Sequence, residues 1–191
     1  MLSALFVVSS MIAIYTGIAY TLYLDMVVPL FVCLIYMRLD LRHTLLSSIT
    51  SLLIVTFAIG DVASAIWMSQ GILMGLICGY FIRKKETIFD DLFYSAILGT
   101  FIMVLIDIYF SKLTGYSFMK EFDSYRDLFP LGSEYMTMAF NIFVAMMPMS
   151  TILIVYVGAL LIGKKLMILN ENCTEKYMII KNFKRYGSYI C

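Results

Sequence analysis

Charge is what this sequence has least of. Asp, Glu, Lys and Arg make up only 14% of its 191 residues, where a soluble domain carries about a quarter. A water-facing surface cannot be covered with so few, and a soluble globular class is excluded. Histidine occurs once, as His43 beside Arg42, and no acid–histidine–nucleophile arrangement is readable around it. The sequence has no HExxH helix and no glycine-rich phosphate loop. Its four cysteines, Cys33, Cys78, Cys173 and Cys191, make no CxxC and no Cys/His cluster, and two lie in apolar runs as small hydrophobes. A net charge of +1 offers no basic face for nucleic acid. The adjacent carboxylates Asp90 and Asp91 open a helical run, where the helix dipole accounts for them. The expectation is a chain that is not an enzyme, with no cofactor, no metal and no nucleic-acid partner.

What is present is apolar: 62% of residues are hydrophobic and the mean hydropathy is +0.91. The length leaves room for about six membrane spans of about 20 residues each. Residues 2–37 hold a single charge, Asp25. As one straight helix that run would be about 54 Å long, against a hydrocarbon core of about 30 Å, so the chain must turn at Asp25 and Pro29. No small-residue cleavage site follows the first run, which reads as a retained helix rather than a signal peptide.

The expected fold is all-α, a polytopic bundle of six transmembrane helices in one domain over residues 1–165. The spans lie at about 2–22, 27–40, 44–60, 65–82, 89–110 and 135–162. The second is short and must be tilted, irregular or shielded by neighbours. Residues 166–191 form a basic tail that reads either as an amphipathic helix on an anionic inner leaflet or as a solvated end. In the first reading Ile179, Ile180 and Phe183 oppose Lys181, Lys184 and Arg185.

Basic residues set the orientation. With both termini cytoplasmic, eleven of the fourteen Lys and Arg fall inside, and only Lys112, Lys120 and Arg126 outside. Cytoplasmic loops carry such an excess. The outer side is left net negative.

Two kinds of feature could carry function. Ser9, Ala13 and Gly17 align small residues on one face of the first span, as Gly71, Gly75 and Gly79 do on the fourth. Such ridges let helix backbones approach closely. The fourth-span ridge reads as packing; the first reads as packing or as a partner-docking face. The second feature is polar residues near the outer ends of spans: Asp25, Asp61, Trp67, Gln70, Asp107 and Asn141, with Arg126 in the aromatic-rich connection 111–134. They are candidates for a ligand site taking a cationic or zwitterionic solute, and equally at home as interfacial groups.

The run from Pro29 through Arg38, then Gly60, then QGILMGLICGYFIRKK at 70–85, resembles the YybS-like membrane proteins. It also resembles the wider group of energy-coupling-factor (ECF) transporter S components. The resemblance covers residues 2–165. It implies a six-helix, substrate-capturing subunit of a bacterial plasma membrane, binding a vitamin-sized solute from the outer side. A transmembrane coupling subunit would dock on the first helix, at Ser9, Ala13 and Gly17, and cytoplasmic ATPases would supply the energy. The alternatives are a scaffold of cell-envelope machinery, similar to the rod-shape protein MreD in spans and length, and an orphan regulatory membrane protein.

Overall fold

The computed structural model of the chain describes residues 2–16, 23–60, 62–114 and 133–187. Among the described residues every regular element is helical. The first helix, α1, covers Leu2–Thr16. A π-helical turn, Tyr23–Val27, runs directly into α2, Val28–Arg38. Then come α3 at Leu41–Ile59, α4 at Val62–Arg83 and α5 at Ile88–Thr114. The last two are α6, Ser133–Lys165, and α7, Glu171–Gly187.

Local chemistry explains several of these limits. Pro29 lacks an N–H, and its ring would press on the carbonyl four residues back, that of Asp25. A π turn over Tyr23–Val27 widens the ladder at that point, and α2 starts with proline in its first turn. At the end of α3, Gly60 takes a left-handed φ of +73° and donates its N–H to Thr56 O at 2.8 Å. A side chain there would be strained. The start of α5 is capped by Thr87, whose Oγ1 donates to Asp90 Oδ2 at 2.6 Å and accepts from the Asp90 N–H at 3.3 Å.

Side-chain bonds fix how the helices run. Tyr15, near the end of α1, donates to Ala58 O near the end of α3, so these two are parallel. Arg83, closing α4, donates to Tyr36 O at 3.3 Å and Leu39 O at 3.1 Å, so α2 and α4 finish together. These bonds also satisfy carbonyls that a helix C-terminus leaves unpaired. The end of α6 joins them, since a Cβ on Gly163 would lie 3.5 Å from Met37 Cε. Arg38, Arg42, Arg83, Lys84, Lys85, Lys164 and Lys165 thus gather at one end of the bundle, its basic end.

The centre is α2, which packs on α1, α3, α4 and α6. Eight of its eleven residues are buried. At about 16 Å it is too short to cross a hydrocarbon core by itself, and its neighbours shield it. Its tightest partner is the glycine ridge of α4. A Cβ on Gly75 would overlap the Pro29 carbonyl oxygen and come within 2.8 Å of Val32 Cβ. One on Gly79 would lie 2.9 Å from Tyr36 Cβ.

Among the described residues, four helical stretches are long and apolar enough to cross a membrane: Leu41–Ala58, Ala65–Arg83, Ile88–Tyr109 and Pro148–Lys165. Only 11% of the stretch in α5 is buried, which puts that helix on the periphery. Phe57, Phe89, Phe93 and Phe101 all point outward. An exterior this apolar suits hydrocarbon and not water.

After α6 the chain reverses. Ile168 N–H bonds Gly163 O, Met167 N–H bonds Lys164 O, and Met167 takes a φ of +55°. This is the paired-bond helix stop usually built on glycine, here with methionine in the left-handed position. The turn lays α7 across the basic end, against α6 and α4. The face that α7 buries holds Cys173, Lys176 and Ile180, while Met178 and Ile179 face outward.

Candidate functional site

Two places combine space or buried polarity with defined chemistry. The first is a cleft of about 320 Å³ between α4 and α5. Its walls are Ile66, Ser69 and Leu73 from α4 and Ile102, Leu105, Ile106 and Tyr109 from α5. The two helices are antiparallel, with Gly99 set against Met74: a Cβ there would lie 2.9 Å from Met74 Sδ. Counting outward from that contact places the cleft toward the end opposite the lysines and arginines. The lining is aliphatic, relieved by the Ser69 and Tyr109 hydroxyls. Such a mix holds an apolar body and orients it by a few polar contacts. The Ser69 hydroxyl donates to Ile66 O at 2.6 Å. Tyr109 is exposed at the rim, with Lys112 Nζ 5.8 Å from its ring centre.

The residues singled out in the sequence fall around this cleft and elsewhere. Trp67 is 37% exposed and Gln70 is half-buried, each next in the chain to a lining residue of α4. Asp107 is half-buried between lining residues of α5. These three therefore share one level of the bundle with the cleft. Asp25 is exposed in the π turn that precedes α2. Asn141 belongs to α6, but its side chain is outside the described residues, as are Asp61, Arg126 and most of the connection 111–134. On α1, Ser9 is half-buried and donates to Phe6 O at 3.0 Å. Ala13 is 8% exposed and belongs to the apolar cluster of Phe6, Val32, Val55 and Met68. Gly17 lies outside the described residues. The outward strip of α1 is Ala4, Val8, Ile12 and Tyr15.

The second place is a buried ion pair at the basic end. Asp91 is wholly buried and Lys176 is 4% exposed. Lys176 Nζ donates to Asp91 Oδ2 at 2.5 Å and to the carbonyl oxygens of Lys84, Phe81 and Ile82 at 2.7, 3.1 and 3.2 Å. Tyr156 donates its hydroxyl to the same Oδ2 at 2.6 Å. The pair joins α5 to α7 across the end of α4, with α6 supplying the tyrosine. Beside it Cys173 is buried, its Sγ 3.6 Å from Ile82 O, and burial pushes this thiol above the usual range.

Asp91 and Lys176 were not among the sequence candidates, although signals for both exist. The Thr87-x-x-Asp90 spacing caps α5 with Asp90 alone and leaves Asp91 over. Lys176 sits between Cys173 and Ile180 on an otherwise apolar helical face, where a lysine needs an acceptor.

The described residues are helical, with an apolar exterior and four helices among them fit to cross a bilayer, and this marks the chain as a membrane protein. A family model described as "Predicted membrane protein (DUF2232)" matches residues 4–127, and the chain belongs to that family. Neither the curated proteins nor the solved structures contain a match to this chain.

Proposed function

We propose that this chain is the solute-capturing membrane subunit of an uptake transporter, akin to the S components of energy-coupling-factor systems. The observation that supports this reading best is the cleft between α4 and α5. Its volume of about 320 Å³ is at the lower end of small-molecule sites. It lies at the end opposite the basic cluster, which the positive-inside rule assigns to the outer side. Asp107, Gln70 and Trp67 beside it favour a cationic or zwitterionic solute with an apolar body. In this reading the chain crosses the membrane six times with both termini cytoplasmic. A coupling subunit packs on the outward strip of α1, with Ser9 at its margin, and ATPases act on that partner from the cytoplasm. The chain carries no catalytic site and needs no cofactor.

The test is mass spectrometry of small molecules retained by the purified chain, in wild type and in Leu73→Trp, which fills the cleft. The wild type should hold a solute that Leu73→Trp loses while keeping its helix content. Co-purifying ATPases would support the transporter. Cell-wall enzymes co-purifying without a retained solute would favour the scaffold. An engineered thiol at Lys85 should resist impermeant reagents applied from outside, and its labelling would overturn the orientation.

A further inference from the structure

The surroundings of Lys176 have a chemistry independent of the solute cleft. Its ammonium group has three N–H donors and meets four oxygens: three backbone carbonyls and one carboxylate. The carbonyls of Phe81 and Ile82 are adjacent at the end of α4, and Lys84 O and Asp91 Oδ2 complete the set of acceptors. Carbonyls at a helix C-terminus carry the negative end of its dipole, so they add to the carboxylate in selecting a cation. Convergent acceptors of this kind match a primary ammonium. A planar guanidinium has its donors in one plane, and a quaternary ammonium has none. The site also has polar capacity that Lys176 leaves unused. Asp91 Oδ1 and Ser95 Oγ, one turn apart on α5, are buried and bond no described residue.

Lys176 arrives on a separate element. Its helix follows a turn with a left-handed methionine and is attached chiefly by one face. Lys181 on the same helix is exposed, so burial of Lys176 reflects its place in the helix and not its residue type. We propose that the carbonyls of Phe81, Ile82 and Lys84 and the carboxylate of Asp91 form a primary-ammonium site. Lys176 fills it from within, which makes α7 a tethered plug that an outside amine can displace. That amine is a free alkylamine or a lysine side chain of another protein, which present the same group.

Cys173 reports on the plug, because it is buried while α7 is docked. The full chain in lipid nanodiscs is treated with a permeant maleimide, and mass spectrometry reads the modification of Cys173. In wild type, n-propylammonium at about 0.1 M competes with the tethered Lys176 for the site, and should speed labelling several-fold. In Lys176→Ala, labelling should be about tenfold faster than wild type without amine, and the same propylammonium should slow it. Opposite signs in the two proteins are the signature of one site. Tetramethylammonium should do neither, and Asp91→Asn combined with Lys176→Ala should abolish the slowing. If N-acetyl-lysine methylamide acts like propylammonium, a lysine of another protein can reach the site. If only propylammonium acts, the site takes small free amines. Equal effects of tetramethylammonium, slowing that survives loss of Asp91, or no amine effect on wild type would overturn the proposal. The wild-type arm stands by itself if Lys176→Ala does not fold.

Discussion

Gly75 of α4 rests on Pro29 of α2 with no room for a methyl group between them, since a Cβ would overlap the Pro29 carbonyl oxygen. Gly75→Ala must therefore push two helix backbones apart. Overpacking of this kind costs about 1–3 kcal/mol, more than the ~1 kcal/mol that alanine gains in helix propensity. At Gly79 the obstacle is the root of the Tyr36 side chain, with Cβ at 2.9 Å, which yields only if the backbone of α2 shifts with it. Thermal unfolding in detergent should show a loss for both variants, larger for Gly75→Ala than for Gly79→Ala. Equal losses would contradict the packing described.

Removing one partner of a buried ion pair leaves the other uncompensated, at a cost of about 3–5 kcal/mol. Lys176→Met and Asp91→Leu should each destabilise the chain or release α7. The double variant should recover much of the loss, because two apolar groups need no partner. A double-mutant cycle measured by denaturant unfolding checks this. Additive losses would mean that the two side chains do not depend on each other.

Met167 holds a left-handed φ of +55° and is almost fully exposed, so its side chain contributes strain and little packing. A left-handed conformation costs a non-glycine residue about 1–2 kcal/mol. Met167→Gly should raise the melting temperature, and Met167→Val should lower it, since a β-branched residue fits that region worst. A melting temperature unmoved by both changes would count against the turn.

Cys173 titrates above the usual thiol range because docking of α7 takes it out of water. Less thiolate is then present at neutral pH than for a free cysteine, and thiolate is the reacting form. At pH 8 its labelling should lag behind that of an exposed Met167→Cys. The sign for stability follows. The folded form favours the protonated thiol, so its contribution is full below the ordinary thiol pKa and declines as pH rises above it. Labelling rates from pH 7 to 10 test both statements.

Much of the helical framework was legible in the sequence, for reasons that are local. Gly60 ends α3 by its own backbone freedom, and the run Arg83-Lys84-Lys85 marks where α4 leaves the apolar phase. The ridge of Gly71, Gly75 and Gly79 announced a close approach, although only the structure shows α2 to be the partner. The need to shield the short second span was equally readable. The buried ion pair was harder to see, because Asp91 and Lys176 are 85 residues apart and each has an innocent local reading. Asp91 passes for a dipole-compensating acid, and Lys176 for one more solvated base of the tail. The amphipathic reading of α7 chose Ile179, Ile180 and Phe183, whereas the docked stripe is Cys173, Lys176 and Ile180. The burial of Ala13 was likewise hidden, since a small residue suits an internal seam and an external one alike.

The position of α2 also bears on how the chain is made. Leu30 packs on α6, where a Cβ on Gly158 would lie 3.1 Å from Leu30 Cδ1. At ribosomal speeds of about 5–20 residues per second, that partner emerges roughly 6–25 s after Leu30 itself. Through that interval a segment too short to span waits with one flank uncovered, so the insertion machinery or a chaperone must hold it. A nascent chain halted after α5 should crosslink to that machinery through α2, and the completed chain should not.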